Sequence, residues 1–121
     1  MIFHSETTKI EATSDETFMQ DVLNQTEPVL AFFYSESCEA CVAMASILER
    51  LAVDLQGEQS PAPGAVIVSL DTDVYSDAKD SYGVQGTPTT VLFMGGEAVA
   101  QHEGRAPASM FWGWFLRELI A

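Results

Sequence analysis

The chain has 121 residues, of which 47% are hydrophobic and 19% are charged, a composition that predicts one globular domain over residues 1–121 and excludes a disordered chain. Five lysines and arginines stand against 18 aspartates and glutamates, so the formal net charge is −13. A charge of that sign repels nucleic-acid phosphates and anionic lipid headgroups, and we expect neither nucleic acid nor a membrane as a partner. The acidity either keeps the protein soluble or attracts one basic partner.

Polar residues are spread through the N-terminal segment 1–12, which has no apolar core followed by a small-residue cleavage site. No secretory signal is therefore predicted. The apolar run at residues 28–34 is far shorter than the roughly 18 residues that a membrane span needs. We expect a soluble protein in the cytoplasm.

The first part of the chain begins with a short predicted strand at residues 7–11. Thr13 and Glu16 have the spacing of a capping box, which predicts a helix that continues to about Asn24. Residues 28–34, with the sequence PVLAFFY, are continuously apolar. Such a run is typical of a central strand that is covered on both faces.

The longest predicted helix covers residues 38–55, and its apolar residues recur at helical spacing. We expect the resulting stripe to face the core; its members are Cys41, Met44, Ala45, Leu48, Leu51, Ala52 and Leu55. The proline-containing segment 57–64 is predicted as a surface loop. A second buried strand, residues 65–70, ends at Asp71, and a short helix is predicted at residues 74–82.

The last part of the chain contains a third predicted strand, Thr89–Met94, and a hairpin turn at Gly95-Gly96. Residues 97–102 alternate apolar and polar side chains, which predicts an antiparallel edge strand. Pro107 suits the first turn of a final helix. The order β-α-β-α-β-α-β-β-α indicates an α/β fold in which helices flank a central mixed sheet.

The final helix is rich in aromatic residues, and its predicted core stripe is Phe111, Trp112, Phe115, Leu116 and Leu119. Met110, Trp114 and Ile120 fall outside that stripe. They either pack at the edge of the core or form an exposed apolar patch for a homodimer or another partner.

The two cysteines form a single C-x-x-C motif, Cys38-Glu39-Ala40-Cys41. This spacing alone fits half a zinc site, an iron–sulfur fragment or a redox pair. Structural zinc needs four ligands, and the histidines, His4 and His102, lie in different elements, where we expect them at the surface. An intrachain zinc site is therefore not expected.

The position of the motif favours the redox pair, because it lies at the first turn of a long helix after a buried strand. The free N–H groups and the dipole of that helix end stabilise a thiolate. Cys41 falls within the core stripe and Cys38 at its edge, so one sulfur can attack and the other resolve. The alternative is that both cysteines are small buried apolar residues.

These features together resemble the thioredoxin superfamily over nearly the whole chain. The segments that carry the resemblance are PVLAFFY, the CEAC motif, the strand end at Asp71, the segment GVQGTPTT at residues 83–90, and Gly95-Gly96. The resemblance implies a thioredoxin fold, a cis Pro88 beside the cysteines, and a backbone at Thr87 that binds an extended substrate segment. It also implies protein disulfides as substrates, a flavin-dependent thioredoxin reductase as electron donor, and no bound cofactor.

The chain departs from the family pattern at its active turn, which reads Ser37-Cys38-Glu39-Ala40-Cys41 instead of Trp-Cys-Gly-Pro-Cys. Ala40 relaxes the helix start, and the carboxylates of Glu36 and Glu39 disfavour the thiolate. Phe32 stands where thioredoxins carry a buried aspartate, and the strand at residues 65–70 has no lysine. We therefore expect slower exchange and a specialised protein.

The function predicted from these residues is a thiol–disulfide oxidoreductase that acts as a disulfide reductase, because nearby acids raise the thiol pKa and make the pair more reducing. One alternative is a binding module or chaperone that uses the Thr87–Pro88 groove while its cysteines stay idle. Another is an iron–sulfur cluster bridged between two chains through Cys38. Ser35 or Ser37 is predicted as the cap of the long helix.

Overall fold

The computed structural model describes residues 8–121, and its centre is a five-stranded sheet. The strands are β1 (Glu11–Ala12), β2 (Val29–Tyr34), β3 (Val66–Asp71), β4 (Thr89–Met94) and β5 (Glu97–Glu103). They lie in the order β1-β3-β2-β4-β5; β1, β3 and β2 are parallel, whereas β4 and β5 are antiparallel to their neighbours. The predicted mixed sheet is confirmed.

Within residues 8–121, three α-helices accompany the sheet: α1 (Glu39–Gln56), α2 (Asp77–Ser81) and α3 (Ala108–Ile120). All six residues of β2 are buried, because successive side chains point alternately to two separate cores. One core holds the inner faces of α1 and α3, and the other holds α2 and the segment before β2. This double coverage explains the continuous apolar run. No helix within residues 8–121 is long and apolar enough to cross a membrane.

The stripe predicted on α1 is confirmed, since all seven of its residues are buried in the core shared with α3. The hairpin turn at Gly95-Gly96 is confirmed as well, and both glycines have positive φ, +60° and +83°. A Cβ atom at Gly96 would collide with the backbone carbonyl of Leu23. Position 96 therefore needs glycine for both its conformation and its close contact.

The capping box predicted at Thr13 is wrong, and the helix predicted from there to about Asn24 begins later and is shorter. The Thr13 hydroxyl donates to the Asp21 carboxylate at 2.8 Å, and the N–H of Thr17 donates to the Ser14 hydroxyl at 3.1 Å. These local hydrogen bonds hold a turn, and only a five-residue π-helical segment, Met19–Leu23, follows it. The predicted first strand is reduced to β1, and its residue 7 lies outside the described residues.

Helix α2 is shorter than the predicted residues 74–82. The N–H groups of Val74 and Tyr75 donate to the Asp71 carbonyl, which makes a turn before the helix. The Asp15 carboxylate then accepts from the N–H groups of Asp77 and Ala78, both at 3.1 Å, and so caps α2 from a distant part of the chain. The helix begins where this cap acts.

The final helix follows its prediction. Phe111 and Phe115 are buried, and Met110 and Ile120 are exposed. Trp114 packs at the edge of the core, the first of its two predicted alternatives; it is half-buried and its ring lies 5.3 Å from that of His102. His102 is consequently half-buried rather than fully at the surface, because β5 turns this side chain towards α3; His4 lies outside the described residues.

Candidate functional site

The candidate site is the turn that joins β2 to α1, where Cys38 and Cys41 form a disulfide with their Cα atoms 5.1 Å apart. That separation is ordinary for a disulfide. Cys38 is itself the N-cap of α1, since its Sγ accepts the N–H of Cys41 at 3.1 Å. The prediction that Ser35 or Ser37 caps this helix is wrong. The Cys38 sulfur therefore lies at the positive end of the helix dipole.

The two sulfurs differ in exposure, as the helical pattern predicts. Cys41 is completely buried, whereas Cys38 is partly exposed at the edge of the same core. A disulfide exchange requires an incoming sulfur to reach the attacked atom along an open path. Only Cys38 offers such a path in this arrangement.

Phe32 lies in the core on the same side of the sheet as Cys41. It is fully buried and stacks on Tyr34 with ring centroids 5.7 Å apart. Its neighbours across the sheet are Ser69 on β3 and Thr90 on β4, both buried. The position therefore holds an aromatic ring in apolar packing and no ionisable group.

The electrostatics of this end of the sheet are acidic. Burial, together with the negative charges of Asp71 and Glu36, raises the pKa of Tyr34 from 10.0 to about 12. Asp71 lies directly opposite Tyr34 in the β2–β3 register. Glu36 and Glu39 are exposed, so solvent screens part of their effect on the sulfurs.

The raised pKa of Tyr34 predicts a loss of stability at high pH. Below pH 10 both the folded and the unfolded states keep the phenol proton, whereas between about pH 10 and 12 only the unfolded state loses it. Stability should therefore fall across that window, and solvent screening keeps the loss below the roughly 2–3 kcal/mol of a fully buried phenol. Urea unfolding of the wild type and Tyr34→Phe at pH 9 and above pH 11 measures this loss of stability. The prediction is contradicted if the free energy of unfolding falls by the same amount in both proteins between the two pH values.

The turn before Cys38 is fixed by further hydrogen bonds. The N–H of Cys38 donates to the Ser35 carbonyl at 3.2 Å. The Ser35 hydroxyl donates to the Asp73 carboxylate at 2.7 Å and lies 3.1 Å from the Ser37 hydroxyl. Sequence reasoning missed Asp73. The available signal was its position just beyond β3, whose end lies beside the end of β2 in a parallel pair.

The Thr87–Pro88 peptide bond is cis, with Pro88 buried and Thr87 partly exposed. Because Thr89 is registered opposite Phe33, this segment lies at the same end of the sheet as the Cys38 turn. It borders a cleft of about 280 Å³ that also includes Gln85 and Glu103. The cysteines themselves do not line this cleft.

No group of three or more metal-ligating side chains that could hold an ion occurs in the part of the chain that the structure describes. The disulfide is the chemically reactive feature of the site. A dithiol that closes to a disulfide can carry two electrons to or from another disulfide without a bound group.

Comparison with known proteins agrees with this chemistry. A family model described as Thioredoxin matches residues 9–115. Thioredoxin C-2 of Corynebacterium nephridii is 36% identical over 97 residues, which cover 80% of this chain and 84% of that protein. Thioredoxin of Pseudomonas aeruginosa is 35% identical over 91 residues, covering 75% of this chain and 79% of that one. A probable protein disulfide-isomerase A6 of Medicago sativa is 36% identical over 89 residues, but they cover only 23% of its length.

Proposed function

The chain belongs to the thioredoxin family, and from that premise we propose that it reduces disulfides in protein substrates through Cys38 and Cys41. Family membership and the Cys38–Cys41 disulfide make it a thiol–disulfide oxidoreductase. The roles of the two cysteines and the reducing direction are our proposals. The observation that carries the roles is the contrast between an accessible sulfur at a helix N-terminus and a buried one three residues later.

In the proposed reaction, the Cys38 thiolate attacks one sulfur of a substrate disulfide and displaces the other as a thiolate, which takes up a proton. A mixed disulfide between Cys38 and the substrate results. The Cys41 thiolate then attacks the Cys38 sulfur and releases the second substrate thiolate, which is also protonated. The substrate has gained two electrons and two protons, and the Cys38–Cys41 disulfide has formed. A separate flavin-dependent reductase returns it to the dithiol.

The acidic surroundings of the turn support the reducing direction. Carboxylates close to a thiol disfavour its thiolate, and a dithiol whose thiolate is not strongly stabilised gives up electrons more readily. The combined action of Asp71 and Glu36 on Tyr34 supports a negative field at this end of the sheet. Residue 40 is alanine where the family motif has proline, so the first turn of α1 contains no proline ring.

We expect Glu39→Gln to lower the pKa of the Cys38 thiol by about 0.3, because one exposed charge near the sulfur is removed and solvent screens most of its effect. The measurement is the pH dependence of alkylation of the reduced protein. Glu58→Gln, which changes another exposed acid beyond the other end of α1, is the matched control and should leave the midpoint unchanged. An unchanged or raised midpoint in Glu39→Gln would remove this support for a reductase.

Thr87 and Pro88 are proposed to form the substrate groove. A partly exposed residue next to a cleft, at the sheet end that carries the cysteines, can offer its backbone N–H and C=O to an extended segment. Glu103 at the rim of the same cleft, like the overall charge of −13, favours substrate segments without acidic residues.

The proposal is tested by mixing the fully reduced protein with a disulfide-linked protein, quenching with an alkylating agent and measuring intact masses. Two thiols should appear on the substrate for every Cys38–Cys41 disulfide formed. A substrate that stays oxidised while the protein stays reduced would exclude the reductase function.

A second candidate is a binding module in which the cysteines are idle, and one observation favours it. An apolar groove of about 600 Å³ runs between α1 and α3, lined by residues that include Ile47, Leu51 and Trp112. A Cys38→Ser/Cys41→Ser double variant distinguishes the two functions. A binding module keeps its partner and its cellular role in this variant, whereas a reductase loses its role.

The remaining expectations are also proposals. We propose that the protein works in the cytoplasm as a single domain over residues 1–121 and receives electrons from a thioredoxin-reductase-like donor. Exposed Met110 and Ile120 on α3 support a homodimer or partner contact through that helix. Sedimentation of the reduced and oxidised protein at several concentrations tests the homodimer.

A further inference from the structure

The turn that carries Cys38 is connected to Asp73 by a continuous chain of side-chain hydrogen bonds. The Ser35 hydroxyl donates to Oδ2 of Asp73 at 2.7 Å, and the hydroxyls of Ser35 and Ser37 are 3.1 Å apart. Asp73 is held in turn, because its N–H donates to Oδ1 of Asp71 at 2.9 Å. Ser37 is the residue directly before Cys38. This chain of hydrogen bonds therefore runs from the end of β3 to Ser37, the residue before Cys38.

The direction of the protons along this chain follows from their number. An ionised carboxylate only accepts, and a serine hydroxyl has one proton to donate. Ser35 gives its proton to Asp73, so the hydrogen bond between the two serines must use the proton of Ser37. The N–H of Ser37 also points at the Ser35 hydroxyl oxygen, at 3.4 Å. The hydroxyl proton of Ser37 is thus used in the hydrogen bond to the Ser35 oxygen.

We propose that Asp73 is a positioning residue that acts through Ser35 to keep the Ser37 hydroxyl from donating to the Cys38 thiolate. A hydrogen bond to a thiolate stabilises it and lowers the thiol pKa. By engaging that donor, Asp73 keeps the Cys38 thiolate less stable and the dithiol more reducing. The inference rests on the proposed role of Cys38 as the attacking sulfur.

Asp73 also has a charge of its own, which disfavours the thiolate without any serine. The two effects are separable, because an asparagine removes the charge but keeps an oxygen that accepts from Ser35. An alanine removes both the charge and the acceptor. Since Asp73 is exposed, neither change disturbs the core. The difference between the two variants therefore measures the effect of the hydrogen-bond chain.

The experiment determines the pKa of the Cys38 thiol from the pH dependence of alkylation, in a Cys41→Ser background where only one thiol titrates. Asp73→Ala should lower this pKa by about 0.7 more than Asp73→Asn, which corresponds to one hydrogen bond of about 1 kcal/mol. The same two Asp73 variants are then measured with Ser37→Ala added, so that residue 37 has no hydroxyl to donate to Cys38. In this background the difference in the Cys38 pKa between Asp73→Ala and Asp73→Asn should disappear.

Two results would overturn the proposal. Equal pKa values for Asp73→Ala and Asp73→Asn would mean that only the charge acts. A difference that persists with Ser37→Ala would mean that the Ser37 proton is not the donor. Urea unfolding of each variant checks that the fold is intact. If Cys38 formed no mixed disulfide even with Asp73 present, the proposed function would fail instead, so the two failures are distinguishable.

Discussion

Replacement of Cys41 by serine should leave the protein linked to its substrate. The Cys38 sulfur remains accessible and can still form a mixed disulfide, but the buried thiol that resolves it has been removed. With oxidised glutathione as the probe, the reduced Cys41→Ser protein should accumulate a glutathione adduct at Cys38, seen by intact mass. The wild type should pass through this adduct and finish as the intramolecular disulfide.

Cys38→Ser is the matched control for this trapping experiment. It keeps a thiol at Cys41, but that thiol is completely buried. We expect no adduct, and disulfide reduction should fall by three orders of magnitude or more, roughly the scale on which enzymes lose activity without their nucleophile. The opposite result is a persistent glutathione adduct on the Cys38→Ser protein and a free Cys38 thiol in Cys41→Ser. It would mean that Cys41 attacks and Cys38 resolves.

Phe32→Ala should destabilise the protein by about 3–5 kcal/mol, because it removes a fully buried ring and leaves a cavity in the core. The ring stacks on Tyr34, which the smaller side chain cannot do. A loss of this size is a large part of the 5–15 kcal/mol that is typical of a native domain. The free energy of unfolding in urea, measured on the oxidised protein, gives the value.

Val42→Ala is the control for the Phe32 experiment, because it removes apolar atoms from α1 at a position that is 54% exposed. We expect it to change the free energy of unfolding by no more than about 0.5 kcal/mol. A loss below about 1 kcal/mol for Phe32→Ala would show that the core relaxes around this position. The aromatic side chain would then not be a structural replacement for the family's buried acid.

Much of the fold is predictable from the sequence because its strongest signals are periodic. The run of apolar residues in β2 predicts a strand covered on both faces, and the stripe along α1 predicts its buried side. Gly95-Gly96 predicts the hairpin because two adjacent positive φ angles are costly for most other residue pairs. Each of these signals is contained within a few neighbouring residues.

The errors occur where a distant contact or a competing side-chain hydrogen bond decides the local structure. Asp15 caps α2 across 62 residues of chain, so the start of that helix cannot be read from the helix itself. The spacing of Thr13 and Glu16 fits a capping box, but the Thr13 hydroxyl bonds to Asp21 instead. A residue-spacing pattern reveals neither the distant cap nor the competing local hydrogen bond.

The site was predicted in part. The spacing of Cys38 and Cys41 and their position after a buried strand identified the reactive pair, because the N-terminus of the helix that follows can stabilise a thiolate. The sequence predicts Ser35 or Ser37 as the cap of α1, whereas the hydrogen bond from the Ser35 hydroxyl to Asp73 is visible only in three dimensions. The parallel register of β2 and β3 brings Asp73 to the turn, and a predicted register would have suggested it.

The most direct test of the central claim is a redox titration of the pair in glutathione and dithiothreitol buffers, with free thiols counted by alkylation and intact mass. A disulfide reductase should show one reversible two-electron transition between dithiol and Cys38–Cys41 disulfide, near the value typical of thioredoxin, about −270 mV. A transition near −120 mV would indicate an oxidant and contradict the reducing direction. If no reversible intramolecular disulfide formed at any potential, the account of Cys38 and Cys41 as a redox pair would be wrong.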